Sequence, residues 1–303
     1  MIHKVNRTCA WYLLIPVILV SVFVAGCRQP EIKSDERASK SMTLISFNVR
    51  YNNPDDGENA WPYRKERVAA LLQFHQADLA GLQEVLNDQL NDLTELMPGF
   101  GWFGVGRTDG QTQGEYAPIF YKRSRFSVQK SGTFWLSESS DVPSKGWDAA
   151  LNRIVTWGAL KDRLSDQLFY IFNTHFDHAG LVAREKSAAL LLEKIEAIAG
   201  SDPVLITGDF NFISSEHPYQ ILTDTQDPLH VRDAFGVSKM PHYGPVSSYG
   251  GGFDEACKEG KKIDYIFVRN QVGVLRHAIL SDSWAGICPS DHMPVFSEII
   301  LKP

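Results

Sequence analysis

Cysteine is scarce in this sequence, with four in 303 residues. Cys9 and Cys27 fall in an apolar N-terminal stretch, which leaves Cys257 and Cys288 for a folded part and room for a single disulfide. An excess of positive charge is missing too. Thirty Lys and Arg face 36 Asp and Glu, a net charge of -6, which becomes -8 once residues 1–26 with Lys4 and Arg7 are set aside. Nothing in that balance resembles the basic footprint of a dedicated duplex-DNA binder. Internal repeats and a second linker are absent as well, so the roughly 260 residues after the N-terminal region read as one large domain.

The ends are informative. Lys4 and Arg7 form a short basic region, and Ala10–Gly26 runs without charge but carries Pro16. That stretch is marginal for a spanning helix and suits a secretory signal. It ends in "VAGC", residues 24–27, which resembles a bacterial lipoprotein signal in which the cysteine is lipidated. The resemblance implies residues 1–26 as signal peptide, a lipidated Cys27, and a location in the bacterial cell envelope, anchored on the extracytoplasmic side. Residues 27–41 are polar and lack an apolar period, so they read as a flexible tether. In an exported protein Cys257 and Cys288 invite a disulfide, worth roughly 3–4 kcal/mol by loop closure; two free buried thiols are the other reading.

From Met42 the pattern alternates strands and helices. "MTLISFNV" (42–49), "DLAGLQEV" (78–85) and "PVLITGDF" (203–210) are buried strands, and four strand-like runs cover 117–122, 126–137, 153–160 and 167–175. Helical spacing appears over 63–76, 87–97 and 183–199, and three strands close the domain at 262–270, 272–280 and 293–301. Two sheets with helices outside accommodate this order.

Polar residues collect at the ends of these strands: Asn48, Glu84, Asn173, His175, Asp209, Asn211, Asp264, and the pair Asp291 and His292. A carboxylate in an apolar run costs several kcal/mol if buried and unpaired. Each has a bland explanation: Asn48 a strand cap, Glu84 a helix start, "GDFN" a turn, Asp264 a partner of Lys261 or Lys262. The set together resists them.

The motifs "SFNVR", "LQEV", "GEYAPIFY", "NRIVTW", "NTHFDH", "TGDFN", "KIDYIFV" and "PSDH" occur in that order over Met42–Pro303. Their set resembles the endonuclease/exonuclease/phosphatase superfamily. The resemblance implies an α+β, DNase I-like four-layer fold: an α/β sandwich of two packed mixed, mostly antiparallel β-sheets flanked by helices. It implies a metal-dependent phosphohydrolase, in first place a phosphodiesterase acting on nucleic acid, nucleotide or phospholipid-headgroup esters, and a monomer. Glu84, Asn48 and Asp291 would hold Mg²⁺ or Mn²⁺, since hard oxygen ligands suit those ions. His292 would be the catalytic histidine, paired with Asp264. Asp209 would hold the attacking water or protonate the leaving group, and Asn211, Tyr116 and His175 would contact the phosphate. Arg153, Asn173 and His178 join them as substrate-binding candidates. Departures from known branches are Arg50, where the exonuclease III branch has an acid, and Phe212 and Ile213, where inositol phosphatases have Arg.

Two other classes compete. "THFDH" (174–178) resembles a truncated zinc-hydrolase motif, but the second H-x-H histidine is absent, and His217, His230, His242 and His277 sit in no matching motif. A catalytically silent binding lipoprotein on the same fold would not need the full polar set. Trp135, Trp147, Phe176 and Tyr243 are candidates for stacking on a base or sugar, or core aromatics. Asp177 and His178 either touch substrate or shape their loop.

Overall fold

A computed structural model describes Met1 and residues 40–254 and 260–302. Cys27, the tether up to residue 39, and Cys257 lie outside the described residues. Cys288 is disulfide-bonded. Among the described residues no helix is long and apolar enough to cross a membrane.

Twelve strands form two six-stranded sheets among the described residues. The first contains β1 (Ser41–Asn48), β2 (Leu79–Gln83), β3 (Phe100–Phe103), β4 (Ile119–Lys122), β11 (Val272–Ile279) and β12 (Val295–Leu301), in the order β11-β12-β1-β2-β4-β3. The second contains β5 (Phe126–Trp135), β6 (Ile154–Asp162), β7 (Leu168–His175), β8 (Val204–Asp209), β9 (Arg232–Asp233) and β10 (Asp264–Arg269), in the order β5-β6-β7-β8-β10-β9. Each sheet has one parallel pair, β1 with β2 and β7 with β8, and is otherwise antiparallel.

The near-continuous apolar runs follow from burial on both faces. Leu44, Leu79, Leu205 and Ile266 point into the layer between the sheets, with Ile171 and Val295. Their neighbours Ile45, Ala80 and Leu82 point outward, onto Val68, Leu71 and Leu72 of α1 (Lys65–Phe74) and Leu90 and Leu93 of α2 (Asn87–Leu96). On the far side Ile206 and Phe267 meet Leu191, Leu192 and Ile195 of α3 (Leu181–Ala199) and Leu222 of α4 (His217–Thr223). The result is four layers, helix–sheet–sheet–helix, as expected. The short β3, α4, β9 and α5 (Ala234–Val237) carry too few residues to show a period.

Toward one end the inter-sheet face turns from apolar to polar with the period of two. Leu44 gives way to Ser46 and Asn48, Ile171 to Asn173 and His175, and Leu205 to Thr207 and Asp209. The antiparallel β10 runs the opposite way and starts at Asp264, directly across from Asp209. The sheets approach closely here: a Cβ on Gly81 would sit 2.0 Å from Thr207 Oγ1.

Asn173, expected to face substrate, lies on the same face as His175 but two residues deeper. It is fully buried. Its amide donates to Leu82 O (2.7 Å) and Pro118 O (3.0 Å), and its oxygen accepts from Gln83 Nε2 (2.6 Å) and Thr207 Oγ1 (3.0 Å). It ties the sheets together rather than binding ligand. Asn173→Ala would remove these four hydrogen bonds from the buried layer, so we expect a stability loss of roughly 2–4 kcal/mol in urea denaturation.

Candidate active site

The polar ends of the strands open into a cleft of about 430 Å³, lined among others by Arg50, Glu84, Glu115, Arg153, His175, Asp209, Asp291 and His292. A wider concavity of about 650 Å³ along α4 gathers surface polar groups instead. Size alone therefore does not pick out the site; buried ionisable groups do.

At the cleft's base His292 Nδ1 hydrogen-bonds Asp264 Oδ2 at 2.8 Å, and His292 Nε2 lies 3.8 Å from Asp209 Oδ2. Asp264 is fully buried and also accepts from Ser248 Oγ (2.7 Å), whose oxygen takes the backbone N–H of Ile263 and Asp264. The bond to His292 is the pairing expected for Asp264, and the bland alternative fails at Lys262, which pairs with Asp233 at 2.7 Å. Tyr249 packs its ring against His292, 4.7 Å between centroids. Burial works against a charged imidazole at His292, but Asp264, Asp209 and Asp291 outweigh it and raise its pKa well above the ordinary value. Burial, then the carboxylate of Asp264, pushes Asp209 up to about 7.

His175 is in the opposite state. Burial, then the charges of Arg153 and Arg107, lower it well below the usual histidine range. One amide hydrogen of Asn211 goes to Phe176 O (3.0 Å) and the other to His175 Nε2 (3.0 Å). An amide nitrogen only donates, so Nε2 is an acceptor and the ring proton sits on Nδ1, 4.0 Å from Glu115 Oε2. Asn211 therefore spends both donors on the protein, and neither it nor His175 Nε2 offers the phosphate donor expected from the motif.

Tyr116 differs as well. Its ring packs against Trp102 in the core, and its hydroxyl donates toward Asn87 Oδ1 (3.2 Å) and Gln111 O (3.1 Å), so it stands behind the wall. Its neighbour Glu115 reaches the cleft, held by Arg107 at 2.7 Å. Asn48 donates from one amide nitrogen to both Glu84 Oε1 and Asp209 Oδ2 (3.0 Å each), while its oxygen accepts from Arg50 N. It spaces two carboxylates, and its oxygen, bonded once to Arg50 N, keeps a second lone pair for an ion. Phe176 and Trp135 are core aromatics, Trp147 is half-buried, and Tyr243 stands exposed on a separate groove with His277 and Phe296. The aromatic rings at the cleft are Tyr51 and Tyr249.

Arg64 gave no motif signal, yet it is buried and its guanidinium donates to the carbonyls of Val49, Arg50, Tyr51, Asn59 and Pro289. It binds the loop after β1 to the loop carrying Asp291 and His292. Burial lowers it to about 10, still charged at neutral pH. Glu84, Arg50 and Asn211 all have positive φ (61°, 58° and 52°), a left-handed backbone that non-glycine residues rarely adopt and that clusters at functional sites.

The donor set suits a hard cation. Asp209, Asp291 and Glu115 are each pushed up, burial first, with Glu84's charge contributing to all three. Such crowding of carboxylates is what a divalent ion relieves. Among the described residues two groupings hold their ligand atoms within 4.8 Å: Glu84, His175 and Asp209, and Asp209, Asp264 and His292. In the second, Asp264 already holds the His292 ring, so an ion there would have to break that bond.

Cleft, paired histidine and crowded carboxylates thus meet at one end of the four-layer sandwich. The sequence model of the Endonuclease/Exonuclease/phosphatase family matches residues 45–292, and the chain belongs to that family. A family structure from Bacteroides vulgatus is 38% identical with a TM-score of 0.82, over 86% of this chain and 99% of that one. A mannosyl-6-phosphatase from Bacteroides thetaiotaomicron is 35% identical with a TM-score of 0.80, over 86% and 100%. Carbon catabolite repressor protein 4 homolog 1 of Arabidopsis thaliana is 28% identical over 69% of this chain and 43% of its own length. Of the first two curated relatives, both uncharacterized mimivirus proteins, the chain covers 59% and 31%.

Of Asp177 and His178, which either touch substrate or shape their loop, Asp177 has the contacts of a loop-shaping residue. Asp177 accepts from the N–H groups of Ala150, Leu151, Ala179 and Gly180 and from Arg153 Nε (2.8–3.3 Å). Burial would raise its pKa, but these donors win and hold it far below the usual value. Its contribution to stability is therefore present above the unfolded value and lost as pH falls toward the folded one. Asp177→Asn should cost roughly 2–4 kcal/mol at pH 7, a deficit that shrinks as pH drops below about 4, read by urea denaturation across pH.

Proposed function

We propose that this chain removes phosphate from a small polyhydroxy alcohol, with a hexose 6-phosphate as the reference substrate. The observation that carries the reading is the buried Asp264–His292 pair facing Asp209 inside a confined cleft. A volume of about 430 Å³ accommodates one sugar phosphate. The likeness to a mannosyl-6-phosphatase along its whole length supports the sugar. A phosphodiester is the second reading, favoured by the two tyrosine rings, Tyr51 and Tyr249, on which a base could stack.

In this scheme Mg²⁺ or Mn²⁺, held by Glu84 and Asp291, would neutralise phosphoryl charge, which leaves Asp209 free for the proton. His292, kept charged and oriented by Asp264, donates Nε2–H to a phosphoryl oxygen. Asp209, near 7, exchanges the proton of the water or the leaving oxygen at neutral pH. Arg153 brings a buried Nη1 without a protein partner to the same cleft and donates to the phosphate. His175 and Asn211 form a neutral, fixed backing.

The decisive assay is a phosphoester panel with Mg²⁺ and with chelator. We expect hexose 6-phosphate turnover that chelator abolishes, and a loss of 10³-fold or more in kcat for His292→Ala, on the order of 4 kcal/mol. Turnover undiminished in that variant sinks the mechanism.

The envelope location and the anchor at Cys27 belong to the same proposal and rest on the "VAGC" stretch. Expressed in a bacterium that processes lipoproteins, the wild type should fractionate with membranes and Cys27→Ala should not. Equal distribution of the two would remove the anchor.

A further inference from the structure

One wall of the cleft is built from two loops that hold each other. Asp177, 2% exposed, binds the backbone N–H groups of Ala150 and Leu151 in the loop before β6. In return Asp148 of that loop binds the N–H groups of Val182 (3.2 Å) and Ala183 (2.6 Å) at the start of α3. Two carboxylates thus stitch residues 147–152 to 177–183 from both sides. On this fixed frame Leu151 stays 42% exposed and lines the cleft.

His178 stands on the same frame, exposed at the cleft. Arg153 Nη2 lies 2.9 Å from His178 Nδ1. A guanidinium can only donate, so Nδ1 is the acceptor and the ring proton is on Nε2. That N–H has no partner among the described residues. The wall therefore presents an oriented hydrogen-bond donor beside an aliphatic surface. A pyranose has the matching character, with oxygens around its edge and an apolar C–H face.

We propose that this wall is the leaving-group subsite: His178 Nε2–H binds a ring or hydroxyl oxygen of the sugar, Leu151 lies against its C–H face, and Arg153 is the positioning residue that fixes the His178 tautomer. The proposal rests on the hexose phosphate reading above and deepens it.

The test compares mannose 6-phosphate with p-nitrophenyl phosphate, whose flat leaving group has no hydroxyls, on the full chain with Mg²⁺. His178→Ala should lower the ratio of the two kcat/KM values tenfold or more, mainly through KM for the sugar. His178→Gln, which keeps a donor, should recover part of it. Leu151→Ala, the loss of an exposed side chain, should lower the same ratio about threefold and guards against a folding defect in the first variant. Hexose phosphate turnover with equal losses on both substrates, or none, overturns the subsite alone. A wild type that cleaves p-nitrophenyl phosphate but no hexose phosphate, or neither, overturns the substrate reading and the sugar subsite together.

Discussion

The dry layer between the two sheets is the constraint on which the rest depends. Each central strand is covered on both faces, so a polar side chain is tolerated only where it meets another polar group or where the layer opens. Strand alternation converts that constraint into a gradient. Leucine and isoleucine fill the middle, Ser46, Asn173 and Thr207 form a polar band tied by hydrogen bonds, and His175 and Asp209 reach the cleft with Asn48 and Asp264 buried beneath them. The band matters energetically because it lets two sheets with different partners approach closely while both ends of the Asn173 amide stay hydrogen-bonded. The cleft is then a continuation of the core's own geometry, positioned by strands that cannot slip register without exposing their apolar residues.

Burial also sets the chemistry. His292 and His175 sit at neighbouring strand and loop ends, yet one is held cationic and the other neutral. The difference is the sign of their company: carboxylates around His292, arginines around His175. Asp209 lies between them and takes its near-neutral pKa from burial and from Asp264 across the ladder. Groups pushed apart in this way are what acid–base work at neutral pH requires. The same crowding gives a hard cation its place, since three carboxyls raised together describe missing positive charge.

How much of this was legible follows the periodicity. Asp209, Asp264 and His292 stood out because carboxylates in apolar strand runs need a reason, and the two-sheet fold followed from the order of the runs. Asn173 and Tyr116 were misplaced because alternation reports which face a residue is on and nothing about depth. Asn211 looked like a phosphate donor because a motif carries no count of hydrogens already spent. Arg64, Glu115, Ser248 and Tyr249 were missed because they act from helix starts and loops, where no period marks the direction of a side chain.

The stretch "NTHFDH" shows how these limits combine. Its histidines suggested a shared metal, but the fold gives each a different partner: Asn211 donates into His175 Nε2, and Arg153 donates into His178 Nδ1. A zinc ion at His178 Nδ1 would have to displace a guanidinium that Asp177 anchors by charge and hydrogen bond, at the cost of a buried ion pair. The segment instead passes through three environments in six residues. Asn173 is in the inter-sheet band, His175 in the cleft, and Asp177 and His178 in the loop that forms its rim. Strand ends thus place His175, Asp209 and Asp264, while Glu84, Arg153, His178 and His292 stand on the loops beside them. The constraint that places the strand-end groups, burial on both faces, does not extend to the loop groups, which their own hydrogen bonds hold instead.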